Sequence, residues 1–96
     1  LKAMKAAITK NTRVVFIANP DNPNGTYVTR YELETFLKGL PDSVVVFLDE
    51  AYFDFVAERD YPKGMDYISR NRVITTRTFS KSYGLAGLRI GYGVAN

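Results

Sequence analysis

The 96-residue sequence predicts an α/β fold with three layers, in which helices cover both faces of a mostly parallel sheet and the last strand is antiparallel. Three observations lead to this prediction. Short β-branched apolar runs recur along the chain, and an amphipathic segment with a helix-capping signal separates the first two. The final run follows its predecessor after only a short loop.

The first predicted elements are the end of a helix, a strand and a turn. Residues 1–8, LKAMKAAI, carry apolar side chains at helical spacing. The run RVVFIAN at 13–19 is continuously apolar and β-branched, which predicts a strand buried on both faces. The segment NPDNPNGT at 19–26 concentrates asparagine, proline and glycine, so it predicts a turn.

A second helix and a second strand follow. Thr29 with Glu32 three residues later forms a capping box, and apolar side chains then recur at i, i+3, i+4 and i+7. Gly39 and Pro41 are expected to end this helix. The run SVVVFLDEAY at 43–52 predicts a second buried strand that ends in acidic residues.

The last part of the chain predicts a short helix and two more strands. The helix is expected at 65–70, and the strands at 72–80 and 89–95. A parallel crossover needs about a dozen residues or more. Because only residues 81–88 separate the last two strands, the fourth strand is predicted to run antiparallel to the third.

Composition restricts the chemistry. The chain has no cysteine and no histidine, which excludes disulfides, cysteine or histidine metal sites and histidine-dependent triads, so no metal is expected. The net charge is +3, but the basic residues are scattered, so we expect no nucleic-acid partner. With no apolar run of membrane-spanning length and no signal peptide, we expect a cytoplasmic protein without membrane contact.

Polar clusters stand where three predicted strands end, at 19–25, 49–52 and 78–81. Ligands of open α/β sheets bind at the carboxyl ends of the strands, so these clusters are expected to converge. They would bring together a Schiff-base-forming amine, a phosphate-binding guanidinium and a carboxylate for a protonated ring nitrogen. The candidates are Lys81, Arg89 and Asp49. Such a set suits an anionic aldehyde cofactor with a basic ring.

Each residue also has a simpler interpretation when taken alone. Asp49 is consistent with a strand terminus that meets solvent, Tyr52 with a packing residue and Asn22 with a turn residue. Lys81 and Arg89 are each consistent with a surface base. The glycine-rich segment around them has neither the dinucleotide-binding nor the P-loop glycine spacing. The combination favours the cofactor hypothesis.

Three motifs carry a family resemblance: NPDNPNG at 19–25, DEAYFDF at 49–55 and RTFSKSYGLAGLRIGYGVAN at 77–96. The chain resembles pyridoxal-phosphate-dependent aminotransferases of fold type I, and among them the histidinol-phosphate aminotransferases. The resemblance covers essentially the whole chain. It implies that residues 1–96 are part of a single large domain that binds pyridoxal 5'-phosphate, with the rest of that domain and a small domain outside the sequence. One departure is Asn24, where the family usually has threonine.

The resemblance implies a role for each site residue. Lys81 forms the Schiff base with the cofactor, and Asp49 pairs with the pyridine nitrogen. Asn22 and Tyr52 bond the phenolic oxygen of the ring, and Ala51 lies against one ring face. The implied phosphate contacts are Thr78, Ser80 and Arg89. The implied catalytic residues are Lys81, Asp49 and Tyr52.

The activity implied by the resemblance is transamination of histidinol phosphate with 2-oxoglutarate and glutamate, by a homodimer in the full-length protein. The same motifs also occur in threonine-phosphate decarboxylases and aromatic aminotransferases. A cofactor-sensing regulatory domain and a non-catalytic remnant are the alternatives of other classes. The 96 residues by themselves are expected to be inactive. Glycines at 84, 87 and 91 are expected to let the backbone double back, so that Lys81 and Arg89 face one pocket.

Overall fold

A single four-stranded sheet organises the fold in the computed structural model, which describes residues 1–70 and 72–96. The strands lie side by side in chain order: β1 Val14–Ala18, β2 Val45–Asp49, β3 Val73–Thr78 and β4 Gly91–Val94. Strands β1, β2 and β3 are parallel, and β4 is antiparallel to β3. The predicted mostly parallel sheet and the reversal of its last strand are both confirmed.

Two α-helices accompany the sheet, α1 over Lys2–Ala6 and α2 over Arg30–Lys38. Helix α2 begins with the predicted capping box, because the Thr29 hydroxyl accepts from the Glu32 amide (3.3 Å) and the Glu32 carboxylate accepts from the Thr29 amide (2.9 Å). Gly39 is the C-cap, as expected. None of the helices in the described residues is long and apolar enough to span a membrane.

The short helix expected at 65–70 is confirmed only in part, because the segment forms 3-10 turns and no α-helix. Two 3-10 turns, Gly64–Asp66 and Ile68–Arg70, occupy this segment. Gly64 packs so closely on β3 that an added Cβ would lie 2.4 Å from the Thr75 hydroxyl oxygen. This close approach, rather than a helical repeat of apolar residues, shapes the segment. Two further 3-10 turns span Phe53–Phe55 and Ala86–Leu88.

The hydrophobic core lies on one face of the sheet. Val15 and Ile17 of β1 are buried beneath α2, whereas Val14 and Phe16 point to the other face and are 53% and 58% exposed. The prediction that β1 is buried on both faces is therefore wrong for the described residues, because they supply a helical layer on one face of the sheet only. Helices on the second face remain a prediction. The core also includes Leu33, Phe36, Leu37, Leu40, Val44, Val46, Leu48, Tyr67 and Val73.

Candidate active site

The carboxyl ends of the three parallel strands lie at one edge of the sheet. Asp49 is in register with Ala18 of β1 and with Thr76 of β3. The ladder continues beyond the strands, since the Asn19 amide donates to the Asp49 carbonyl and the Glu50 amide to the Thr76 carbonyl, both at 2.9 Å. The three polar clusters are therefore carried on adjacent strand ends, as the sequence predicts.

A buried asparagine fixes the loop that follows β1. Asn19 has no exposed surface; its side-chain oxygen accepts from the Val28 amide (2.8 Å) and its side-chain nitrogen donates to the Val28 carbonyl (3.3 Å). These two bonds close the loop at its base. Within the loop, Asn24 donates to the Asp21 carboxylate at 2.5 Å. Asn24 therefore still acts as a polar turn residue in place of the threonine usual in the family.

Three of the predicted site residues meet in a chain of contacts. The Asn22 side-chain amide donates to the Tyr52 hydroxyl at 3.1 Å, and the Lys81 ammonium lies 5.1 Å from the centre of the Tyr52 ring. A cleft of about 370 Å³ opens beside Asn22 and Tyr52, and Tyr27 and Phe55 also line it. The exposed lysine therefore sits at the edge of an accessible, partly aromatic cleft.

Asp49 is the last residue of β2, and Ala51 lies two residues beyond it. Both are half-buried, and the Asp49 carboxylate accepts a hydrogen bond from the Thr76 hydroxyl at 3.3 Å. This cross-strand bond engages one of the two carboxylate oxygens of Asp49. A carboxylate in this state is suited to pair with a cation.

Thr78 and Ser80 form a compact turn at the end of β3. The Ser80 amide donates to the Thr78 hydroxyl at 3.1 Å, and this hydroxyl donates to the Ile90 carbonyl at 3.4 Å. The Phe79 amide also donates to that carbonyl, at 3.2 Å. The backbone next to Arg89 is therefore held against this turn, so two amides and two hydroxyls lie close to one basic residue.

The Arg89 side chain is the one predicted phosphate contact that points elsewhere. Its guanidinium donates to the Ala86 carbonyl at 3.0 Å, and no hydrogen bond within the described residues joins it to Thr78 or Ser80. Its backbone has φ of 53°, in the left-handed region that non-glycine residues rarely adopt. Such conformations are concentrated at functional sites.

The chain reverses its direction between Lys81 and β4, and two of the three glycines expected to allow this reversal contribute to it. Gly84 has φ of 67°, and an added Cβ on Gly91 would lie 2.7 Å from the Arg77 carbonyl oxygen. Gly87 has neither a left-handed backbone nor a close neighbour, so the expectation for this glycine is wrong. The left-handed conformation of Arg89 completes the reversal instead.

Two opposite charges at this edge have no ionic partner among residues 1–70 and 72–96. The described residues contain three ion pairs, and none of them includes Lys81 or Asp49. At the same edge, Arg77 and Glu50 form an ion pair with each other. A free cation and a free anion on neighbouring strand ends fit a ligand that carries one group for each of them.

Glu50 and its partners are the part of the site region that sequence reasoning missed. Glu50 is 1% exposed and pairs with Arg77 on β3. Burial raises the pKa of Glu50, while the Gly64 amide and Arg77 favour its charged form. The available signal was the pair of adjacent acids: alternation along a strand sends Asp49 and Glu50 to opposite sides, so both cannot meet the same solvent.

Comparison with known proteins identifies the class to which this fold and site belong. The model of the family described as aminotransferase class I and II matches residues 1–96. The chain belongs to this family.

Particular relatives are similar over nearly the whole chain. The histidinol-phosphate aminotransferase of Moorella thermoacetica is 58% identical over 97 residues, which cover 99% of this chain and 25% of that protein. The aromatic amino acid aminotransferase of Streptomyces coelicolor is 52% identical over 97 residues, covering 100% of this chain and 27% of that protein. The chain therefore spans about a quarter of the length of these relatives.

Solved structures give the same picture. The histidinol-phosphate aminotransferase from Sinorhizobium meliloti, in complex with pyridoxal-5'-phosphate, superposes with a TM-score of 0.79 at 41% identity. The match covers 88% of this chain and 23% of that one. The L-threonine-O-3-phosphate decarboxylase from Porphyromonas gingivalis superposes with a TM-score of 0.78 at 34% identity, covering 91% of this chain and 26% of that one.

Proposed function

We propose that this chain is the central part of the large domain of a pyridoxal-phosphate-dependent aminotransferase, and that Lys81 binds the aldehyde of the cofactor covalently. The observation that carries the proposal is the Lys81 ammonium beside the Tyr52 ring, with the Asp49 carboxylate on the adjacent strand end, neither of them in an ion pair within the described part of the chain. Membership of the aminotransferase class I and II family supports it.

Each end of the cofactor has a matching group in the site. Asp49 would hold the ring nitrogen, and the bonded pair Asn22 and Tyr52 would hold the phenolic oxygen. Ala51, which is half-buried next to Asp49, would lie against a ring face. The phosphate would be bound by Thr78, Ser80 and Arg89, once the Arg89 guanidinium turns away from the Ala86 carbonyl.

The chemistry follows from the charges of these residues. When bound, the cofactor supplies an aldehyde and an electron-accepting ring. Asp49 would keep the ring nitrogen protonated, because an opposite charge at short range favours the charged form. The Lys81 amine would take the proton from the substrate Cα and give it back as the acid of the same reaction. The Tyr52 hydroxyl, which accepts a hydrogen bond from Asn22, would hold the phenolic oxygen in place.

The substrate pair that we propose is histidinol phosphate as amino donor and 2-oxoglutarate as acceptor, which becomes glutamate, as part of histidine biosynthesis. It is supported by four relatives at 52% to 58% identity that carry the name histidinol-phosphate aminotransferase. Aromatic amino acids are the second candidate, since relatives at 52% and 53% identity carry that name. We further propose a cytoplasmic homodimer for the full-length protein.

The test is a half-reaction with the full-length protein loaded with pyridoxal phosphate. Histidinol phosphate should convert the cofactor to its amino form, and 2-oxoglutarate should restore the aldehyde form. Aromatic amino acids and threonine phosphate are the competing substrates, and carbon dioxide release reports decarboxylation. A Lys81→Ala variant, which lacks the amine, is the matched control. Absence of amino transfer from every donor, with the cofactor still bound, would refute the aminotransferase and favour a cofactor-sensing role.

A further inference from the structure

A buried ion pair lies directly behind the candidate site. The Glu50 carboxylate is bound by Arg77 through two atoms, Nε at 2.9 Å and Nη2 at 2.8 Å. The Arg77 guanidinium also lies over the Phe53 ring, 3.6 Å from its centre. Of the three ion pairs in the described residues, this is the one whose carboxylate is fully buried. Both nitrogens contact the same carboxylate oxygen, Oε2.

The other carboxylate oxygen of Glu50 is also occupied. The Gly64 amide donates to it at 2.6 Å, and the Tyr61 hydroxyl lies 3.4 Å away. The Tyr61 hydroxyl donates to the carbonyl of Asn19 at the end of β1. We call the set Asn19, Glu50, Tyr61, Gly64 and Arg77 the buried cluster.

The buried cluster joins the three chain segments that carry the candidate site. Asn19 begins the loop that holds Asn22, and Glu50 directly follows Asp49. Arg77 lies four residues before Lys81. No member of the cluster is itself a proposed cofactor contact, but Asn19, Glu50 and Arg77 each lie within three residues of one.

Alternation along the strands separates two cross-strand pairs. On one side of the β2 and β3 ends, the Thr76 hydroxyl bonds Asp49. On the other side, Arg77 bonds Glu50. Because successive side chains of a strand point to opposite sides, the Glu50–Arg77 pair joins the same two strand ends as the Asp49–Thr76 pair, but from the opposite side. Replacement of a buried ion pair by apolar residues is often neutral or stabilising, so stability alone does not account for such a pair.

We propose that Glu50 and Arg77 are positioning residues of the cofactor site, which set the placement of Asp49 relative to Lys81. This inference rests on the proposed function, because it assigns these two residues to the orientation of groups that bind pyridoxal phosphate. Neither residue is among the proposed cofactor contacts.

The experiment compares variants of the full-length protein loaded with pyridoxal phosphate. Glu50→Gln keeps the shape of the side chain and removes its charge, and Arg77→Lys keeps the charge and removes the two-point contact. Leu33→Ala, in the core beneath α2 and outside the buried cluster, is the control for loss of stability alone. The readouts are the dissociation constant of the cofactor, the pH midpoint of its visible absorption band, the half-reaction rate, the donor KM and the melting temperature.

Glu50→Gln should lower the half-reaction rate by about a hundred-fold, since a displacement of about 1 Å costs that much, with the donor KM changed by less than about three-fold. The cofactor should bind about ten-fold more weakly, and the pH midpoint of its band should move, because Asp49 is displaced. Arg77→Lys should show smaller changes of the same kind and still fold. Leu33→Ala should lower only the melting temperature.

The inference is overturned if Glu50→Gln and Arg77→Lys lower the melting temperature as Leu33→Ala does, while the spectrum, the cofactor affinity and the half-reaction rate stay at wild-type values. If Glu50→Gln does not fold, the same criteria applied to Arg77→Lys decide. Failure of the proposed function looks different: the wild-type protein itself would then carry no cofactor on Lys81, and the assignment of Glu50 and Arg77 would fall with it.

Discussion

Replacing Asp49 with asparagine removes one charge from the candidate site and little else. The asparagine side chain has the same shape, and its oxygen still accepts the hydrogen bond that Thr76 gives to Asp49 at 3.3 Å. The fold at the end of β2 should therefore persist, because its backbone bonds to Asn19 and Thr76 do not involve this side chain. What changes is the partner available to a protonated ring nitrogen.

The size of the effect follows from the charge pair. Two opposite unit charges about 4 Å apart attract by about 4 kcal/mol at an effective dielectric constant of about 20. Each 1.4 kcal/mol corresponds to about a ten-fold change in rate, so the loss of the full 4 kcal/mol would slow the reaction by about three orders of magnitude. Asp49 is half-buried rather than fully buried, and solvent screens part of the attraction. We therefore expect the half-reaction of the full-length Asp49→Asn protein to be about 10² to 10³ times slower, with cofactor still bound.

The assay is single-turnover absorbance of the loaded full-length protein after addition of a saturating amino donor. Thr76→Val is the matched control, because it deletes the hydroxyl that bonds Asp49 but leaves the charge. Loss of one such hydrogen bond, worth about 0.5–1.5 kcal/mol, should slow the reaction by about ten-fold at most. An Asp49→Asn rate within ten-fold of the wild type would refute the electrostatic role of Asp49.

Further predictions concern the elements that support the site, all measured on the full-length protein by urea unfolding. Thr29→Ala should reduce the free energy of unfolding by about 1 kcal/mol, because it removes the helix cap, whereas Thr35→Ala on the exposed face of α2 should change it little. The Thr29 amide lowers the pKa of Glu32. The stability that Glu32 contributes is therefore present above its pKa in the unfolded chain and is lost as the pH falls through its pKa in the folded protein. The free energy of unfolding of Glu32→Gln should accordingly lie below that of the wild type at neutral pH and equal it in acid. A difference that does not depend on pH would contradict this. Gly84→Ala should reduce the free energy of unfolding by about 1–2 kcal/mol, because the φ of Gly84 is 67°. Gly87→Ala should not reduce it, and equal effects of the two substitutions would contradict a special role for the left-handed backbone of Gly84.

The sheet and its edge could be predicted because the responsible signals are local. The β-branched runs, the capping box at Thr29 and the short connection before β4 each predict an element or its direction without knowledge of the rest. Since parallel strands end at the same edge, the meeting of Asn22, Tyr52 and Lys81 follows from topology together with the family resemblance.

Other features depend on contacts that the sequence does not record. Val14 and Phe16 are as apolar as the buried Val15 and Ile17, so composition cannot tell which face of β1 is covered. The 3-10 turn at Gly64 reflects close packing against β3 rather than any periodicity.

The pairing of Glu50 with Arg77 joins residues 27 positions apart, and no local pattern connects them. Similarly, the left-handed backbone of Arg89 is an exception to residue preference. The sequence predicts that glycines alone produce this turn, whereas in the structure two glycines, Gly84 and Gly91, and Arg89 produce it together.

The site of covalent attachment tests the central claim most directly. Borohydride reduction of the loaded full-length protein fixes the cofactor to the lysine that holds it. Modified Lys81 resists trypsin, so the label should appear on the peptide TFSKSYGLAGLR, residues 78–89, which extends past Lys81 to Arg89. Lys63, which lies outside the three strand-end clusters, should remain unlabelled. A label on Lys63 or any other lysine, or no label at all, would contradict the account.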